Sequence, residues 1–113
     1  MVTKNRLFTL SRPKPIASEW FVLIDLSDWL GTEEISSVTF SAKRKANGTN
    51  ATSEVINSTN STNTTTVIKP FIKGGKSGET YVVTMKVTTN GSPASVEEFY
   101  LEFRVSDNIP NIG

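Results

Sequence analysis

Residues 81 to 105 constrain the chain more than any other stretch. Tyr81, Val83, Met85 and Val87 alternate with Val82, Thr84, Lys86 and Thr88, and after a break Phe99, Leu101, Phe103 and Val105 alternate with Glu98, Tyr100, Glu102 and Arg104. A period of two belongs to an extended strand with one face buried. The link Asn90-Gly91-Ser92-Pro93-Ala94-Ser95 closes the two runs into a hairpin, since Asn-Gly accepts the positive φ angles of tight turns. The two apolar rows then lie on one face, which a second layer must cover.

The upstream segments supply candidates for that layer. Trp20 to Leu26, WFVLIDL, reads as a strand with Trp20, Val22, Ile24 and Leu26 on one face and Phe21 and Leu23 on the other. Both faces are apolar, so the outer one is either covered by the chain's own N-terminal arm or offered to another subunit. Asp25, Ser27 and Asp28 cap a turn leading into Trp29 and Leu30; they fall short of the six to eight oxygen ligands that calcium takes. Glu33 to Lys43 forms a strand with Val38, Phe40 and Ala42 inward; Ile35 is out of phase, which calls for a bulge or bend between Ile35 and Val38. Thr65 to Lys73 reads as a strand that Pro70 confines to a sheet edge or a bulge.

Three segments fall outside this pattern. Residues 1 to 15 carry Lys4, Arg6, Arg12 and Lys14 with no acid, and Pro13 and Pro15 keep their end extended. This arm is either a solvated terminus or a limb docking on a neighbour through Leu7, Phe8 and Leu10. Residues 47 to 66 are an Asn/Ser/Thr tract interrupted by Glu54, Val55 and Ile56, expected as a mobile polar loop with a short strand at Val55 and Ile56. Five of the six Asn-x-Ser/Thr patterns fall in it, as chance provides in such a composition. Residues 107 to 113 are expected as a flexible tail. The sandwich proper spans 16 to 106. The expected fold is all-β: an immunoglobulin-like antiparallel β-sandwich of about seven strands, with turn signals roughly every ten residues and no helical period.

Composition narrows the function. There is no Cys and no His, so thiolate nucleophiles, imidazole bases, disulfides and the usual zinc, haem or copper sites are excluded, and neither enzyme activity nor a cofactor is expected. The net charge is +1, which argues against nucleic acid and membrane surfaces as partners. No apolar run approaches a membrane span, and the first fifteen residues lack the apolar centre of a signal peptide, so the expectation is a soluble, unexported chain. Glu33 with Glu34, and Glu97 with Glu98, are adjacent in strands and so point to opposite faces rather than converging as acid pairs. Lys43-Arg44-Lys45 ends a strand facing solvent.

Three pieces, DLSDWL at 25 to 30 with Ile35 soon after, GGKSGETY at 74 to 81, and YVVTMKVTTNGSPASVEEFYLEFRV at 81 to 105, resemble the tail-associated immunoglobulin-like proteins of bacteriophages and prophages, in particular the fiber-tail adaptor type. That type has a D-W-S-D-W-L element, a G-G-x-x-G-x-x-Y turn and a final hairpin ending in a basic residue and Val. Here Leu26 replaces the second position's Trp, and the 47 to 66 tract is longer and more polar than usual. The physical reading agrees with the resemblance: Gly74, Gly75 and Gly78 allow backbone turns closed to other residues, and Tyr81 is similar to a tyrosine corner whose hydroxyl bonds nearby backbone.

The resemblance implies a structural virion protein of a phage or prophage tail or neck, made in the host cytoplasm. It would be an adaptor joining other virion tail or neck proteins, itself a homo-oligomer such as a ring. The candidate subunit contacts are Leu7, Phe8, Leu10, Phe21, Leu23, Tyr100, Glu102 and Arg104; the fold-determining residues are Trp29, Gly74, Gly75, Gly78 and Tyr81. Strand-edge pairing supplies a route to such contacts. The competing expectation is a carbohydrate- or protein-binding recognition module at a fiber tip or cell surface, which exposed aromatic residues on loops would favour.

Overall fold

The computed structural model describes residues 6–106. Its elements in chain order are β1 (Leu7–Thr9), β2 (Trp20–Phe21), β3 (Ile24–Asp25), a helical turn α1 (Ser27–Leu30), β4 (Ile35–Arg44), a second turn α2 (Thr52–Val55), β5 (Thr62–Asn63), β6 (Val67–Lys69), β7 (Phe71–Ile72), β8 (Thr80–Thr89) and β9 (Val96–Arg104). The Tyr81-to-Val105 alternation produces β8 and β9, antiparallel from Thr80↔Arg104 to Thr88↔Val96. They form the centre of an open four-stranded sheet, ordered β1-β9-β8-β4. The chain is all-β in character, and the sheet does not close into a barrel.

β4 pairs antiparallel with β8, and the register shifts between Ile35 and Ser37. That irregularity lets Ile35 be buried despite being out of phase with the later residues of the strand. β1 joins the opposite edge parallel to β9, with Phe8 beside Leu101 and Leu7 beside Tyr100. From Arg6 onward the arm therefore lies along β9, and none of its described residues covers the outer face of the Trp20-to-Leu26 segment.

The second layer is a ladder in short pieces. β2 pairs with β7 through Trp20↔Ile72 and Phe21↔Phe71, and β3 pairs with β6 through Ile24↔Ile68 and Asp25↔Val67. Both sets share one register, so the expected strands at 20–26 and 65–73 each exist as two pieces of one interrupted ladder. The break has a chemical cause. Val22 N–H donates to the Pro70 carbonyl at 2.9 Å, but proline has no N–H to return the bond. Pro70 was expected at an edge or a bulge; instead it lies in the interruption of an inner strand, because β5 pairs with β6 on its other side.

The polar tract also departs from expectation. Val55 ends α2 rather than starting a strand, and only Ile56 makes a bridge, to Ile72. Asn50 Oδ1 accepts the Thr52 N–H at 2.9 Å, a local bond that favours a turn over a strand, and the Thr52 hydroxyl accepts the N–H of Ala42 in β4 at 2.9 Å. Ala51, Val55 and Ile56 are buried. Side chains of both layers meet in one core: Ile24, Leu26, Ile68 and Ile72 from the short strands against Val83, Met85, Val87, Phe99, Leu101 and Phe103 from the hairpin. Lys4 and the expected tail at 107–113 lie outside the described residues.

Candidate subunit-contact surface

The outer face of the second layer starts from a period-two pattern with apolar residues on both parities. Ile24 and Leu26 are buried, whereas Phe21 and Leu23 are 43% and 66% exposed. Phe21 packs edge-on against Phe71 with ring centroids 4.7 Å apart, and the Lys69 ammonium lies 5.3 Å from the Phe21 ring centre. The backbone is equally informative. The Val22 and Leu26 N–H groups donate inward, to Pro70 and Thr66, so the alternating peptide groups of Phe21 and Leu23 point away from the ladder. β2 and β3 end their sheets' strand orders. Exposed apolar side chains and an open strand edge thus coincide on the same residues.

The outer face of the four-stranded sheet is chemically different. Tyr100 donates its hydroxyl to Glu98 Oε1 at 2.9 Å, which pushes the phenol's pKa up. Glu102 pairs with Lys45 at 3.1 Å, Arg104 is exposed, and Leu7 is 43% exposed beside Tyr100. Glu97 pairs with Arg6 at 2.5 Å while Glu98 holds Tyr100, so the adjacent acids do point to different partners. Phe8 and Leu10 turn the other way and pack on the core, the Phe8 ring 6.4 Å from that of Phe99. Of the three arm residues expected to make contacts, then, Leu7 joins Tyr100, Glu102 and Arg104 on this face, and Phe21 and Leu23 belong to the other layer.

The residues expected to set the fold form two clusters. Asp25 Oδ1 accepts the Ser27 N–H at 2.9 Å just ahead of α1, which holds the Asp25 carboxyl below the ordinary range; within α1, Trp29 packs on Phe99, edge to face at 5.1 Å. At the other end Tyr81 stacks on Phe103 and accepts the Lys76 N–H at 2.9 Å, a bond to nearby backbone as in a tyrosine corner. Its hydroxyl donates to Glu54 Oε2 in a very short bond, and Arg44 Nη2 pairs with Glu54 Oε1 at 3.1 Å. Tyr81 and Arg44 both hold the Glu54 carboxyl below its ordinary value, and burial with the Glu54 contact pushes the Tyr81 phenol up. Gly74 and Gly75 have φ of 50° and 95°, and a Cβ would lie 2.6 Å from the Glu54 carbonyl oxygen and 2.6 Å from Val105 Cγ2 respectively. Gly78, with φ of 90°, has open space around it and donates its N–H to Val105 at 2.8 Å.

Lys14 is a residue that sequence reasoning assigned to a solvated arm, yet it is fully buried. Its ammonium donates to the carbonyls of Pro15, Ile16 and Gly74 at 2.7, 3.2 and 2.9 Å, three acceptors for three donors. Burial lowers its pKa, with Glu19 acting in the opposite sense. Its backbone clamps β9's end, accepting from Ser106 and donating to Arg104. No local pattern marks such a lysine as buried, because the Gly74 carbonyl that completes its acceptors comes from a turn sixty positions away. Glu54 was likewise hidden inside the polar tract, although a lone acid amid Asn, Ser and Thr is a signal that it has a partner.

A protein-family model described as podophage GP4 fiber-tail adaptor protein gp77 matches residues 14–102. That span takes in Lys14, β2 through β8 and all but the last residues of β9, and leaves out β1. No curated protein and no solved structure was found to match the chain.

Proposed function

The chain belongs to the podophage GP4 fiber-tail adaptor protein family, and from that membership we propose that it is a structural virion protein of a phage or prophage tail or neck that joins tail components by subunit contacts. The finer reading is an immunoglobulin-like sandwich of about seven strands, assembled as a homo-oligomeric ring and made in the host cytoplasm before incorporation. What carries the reading on the molecule itself is the exposed apolar pair Phe21 and Leu23 on an open strand edge. A solitary domain gains nothing from leaving such a feature uncovered, whereas a subunit uses it for pairing. Tyr100, Glu102 and Arg104 form a second, polar face of the kind that rims a contact and sets specificity.

No helix among the described residues is long and apolar enough to cross a membrane. The recognition-module reading ranks second, since the exposed aromatics among the described residues, Trp20 and Phe21, sit on a strand and not on a loop. Co-expression with the tail and fiber proteins of its own genome tests the proposal. The expected outcome is a complex that co-elutes on size exclusion and adopts a symmetric arrangement by electron microscopy. A chain that captures none of those proteins, and is missing from purified particles, would overturn it.

A further inference from the structure

The open edge at β2 and β3 carries a charge pattern as well as an apolar one. On the parity that faces outward, the sequence runs Glu19, Phe21, Leu23, Asp25: acid, apolar, apolar, acid. The arm carries the complement on one parity: Arg6, Phe8, Leu10, Arg12, which is base, apolar, apolar, base. Laid antiparallel, Arg6 meets Asp25, Phe8 meets Leu23, Leu10 meets Phe21 and Arg12 meets Glu19. Residues directly opposite across an antiparallel pair share a face, so all four pairs match at once. Edge-to-edge pairing of two β2–β3 segments would instead bring Glu19 against Asp25, carboxylate on carboxylate, at both ends.

We propose that the segment Arg6–Arg12 of a second copy of this chain pairs antiparallel with the β2–β3 edge. The inference deepens the adaptor reading by naming how copies join, and it rests on that reading for the crowding of copies in one particle. The arm is poised to transfer. Its own pairing runs only from the Arg6 carbonyl to the Leu10 N–H, it is parallel, and Phe8 and Leu10 are only half-buried. Lys14 fixes the base of the arm, while Ser11, Arg12 and Pro13 are exposed between the anchor and the strand. Eight extended residues from 6 to 13 reach about 27 Å, enough to leave one molecule and lie along a neighbour. In dilute solution the arm's own β9 competes with a high effective concentration, so the exchange is favoured where copies are held together.

The chain's lack of cysteine allows a direct test. Full-length Leu10→Cys and Phe21→Cys proteins are mixed and oxidised with glutathione disulfide, with Lys86→Cys replacing Leu10→Cys as the control. Disulfide-linked heterodimer above the control is expected, and Arg6→Glu with Arg12→Glu in the donor should lower its yield about tenfold. Placing Glu19→Lys and Asp25→Lys in the acceptor should restore it; circular dichroism of each surface variant checks that it is folded. Cross-linking no faster than the control, or no charge-swap rescue, overturns the proposal. So does preferential linkage of Leu7→Cys to Tyr100→Cys between molecules, which would mean that the arm exchanges onto β9, and so does linkage of Phe21→Cys to a co-expressed tail protein in place of the second copy. Capture of tail proteins by the Arg-to-Glu donor keeps the two ideas separate: intact capture without cross-linking sinks only the arm pairing, and cross-linking without capture sinks only the adaptor role.

Discussion

Glu54 is held by a buried phenol and a guanidinium, and both favour its ionised form. A carboxyl whose folded-state pKa lies below its ordinary value of 4.5 contributes stability that is fully present above that value and is lost as the pH falls through the folded value. Asp25, also lowered, acts in the same direction. Glu54→Gln should therefore lower stability at neutral pH and flatten, without abolishing, the acid limb of a denaturation series between pH 3 and 6. At the alkaline end the sign reverses: the Tyr81 pKa is raised above 10.0, so its contribution is present below 10.0 and is lost as the pH rises through the folded value. Gly75 is the other single-residue control point. With φ of 95° and Val105 Cγ2 2.6 Å from any added Cβ, Gly75→Ala should cost about 3 kcal/mol by urea denaturation. Gly48→Ala, with φ of 70° but open space, should cost only about 1 kcal/mol.

Among the elements, β1 holds an outer edge of the four-stranded sheet. It is three residues long, with Arg6 accepting the Tyr100 N–H through its carbonyl and pairing with Glu97 on the surface. Opening it exposes little apolar area compared with opening the hairpin. Phe8→Ser should speed hydrogen exchange at the Tyr100 amide while the amides of Val83 and Met85 stay as protected as in the parent; equal loss at all three would mean that β1 folds with the hairpin as one unit. The long elements were legible from sequence because strict alternation over nine or ten residues admits one register and one face. The short ones were not. Trp20 to Leu26 reads as a continuous strand, and its division into β2 and β3 comes from Pro70 on the partner segment. The helical turn at Thr52–Val55 was missed because Val55-Ile56 is a β-branched pair, while the bond that ties the Thr52 hydroxyl to Ala42 involves another element.

At the scale of the molecule, the two layers share one buried core, and Trp29 is one of the large side chains in it. It reaches from the second layer's α1 to Phe99 of the hairpin, so Trp29→Ala should cost about 3–5 kcal/mol, measured as a lowered urea midpoint, and loosen Phe99 along with it. Lys14 closes the opposite end, its ammonium joining the arm's base to the glycine turn and its backbone holding the end of β9. What the sequence by itself determined is the hairpin, the β class, the turn glycines, the inward rows of the core and the membership that the matched family shows, since each is written in local periodicity or in contiguous motifs. Tertiary structure decided which edges stay open, where the arm lies, that Lys14 is buried, and that Glu54, Arg44 and Tyr81 meet. Those outcomes depend on groups from distant parts of the chain coming within about 3 Å, the range over which hydrogen bonds and charge pairs act, and no local pattern records that distance.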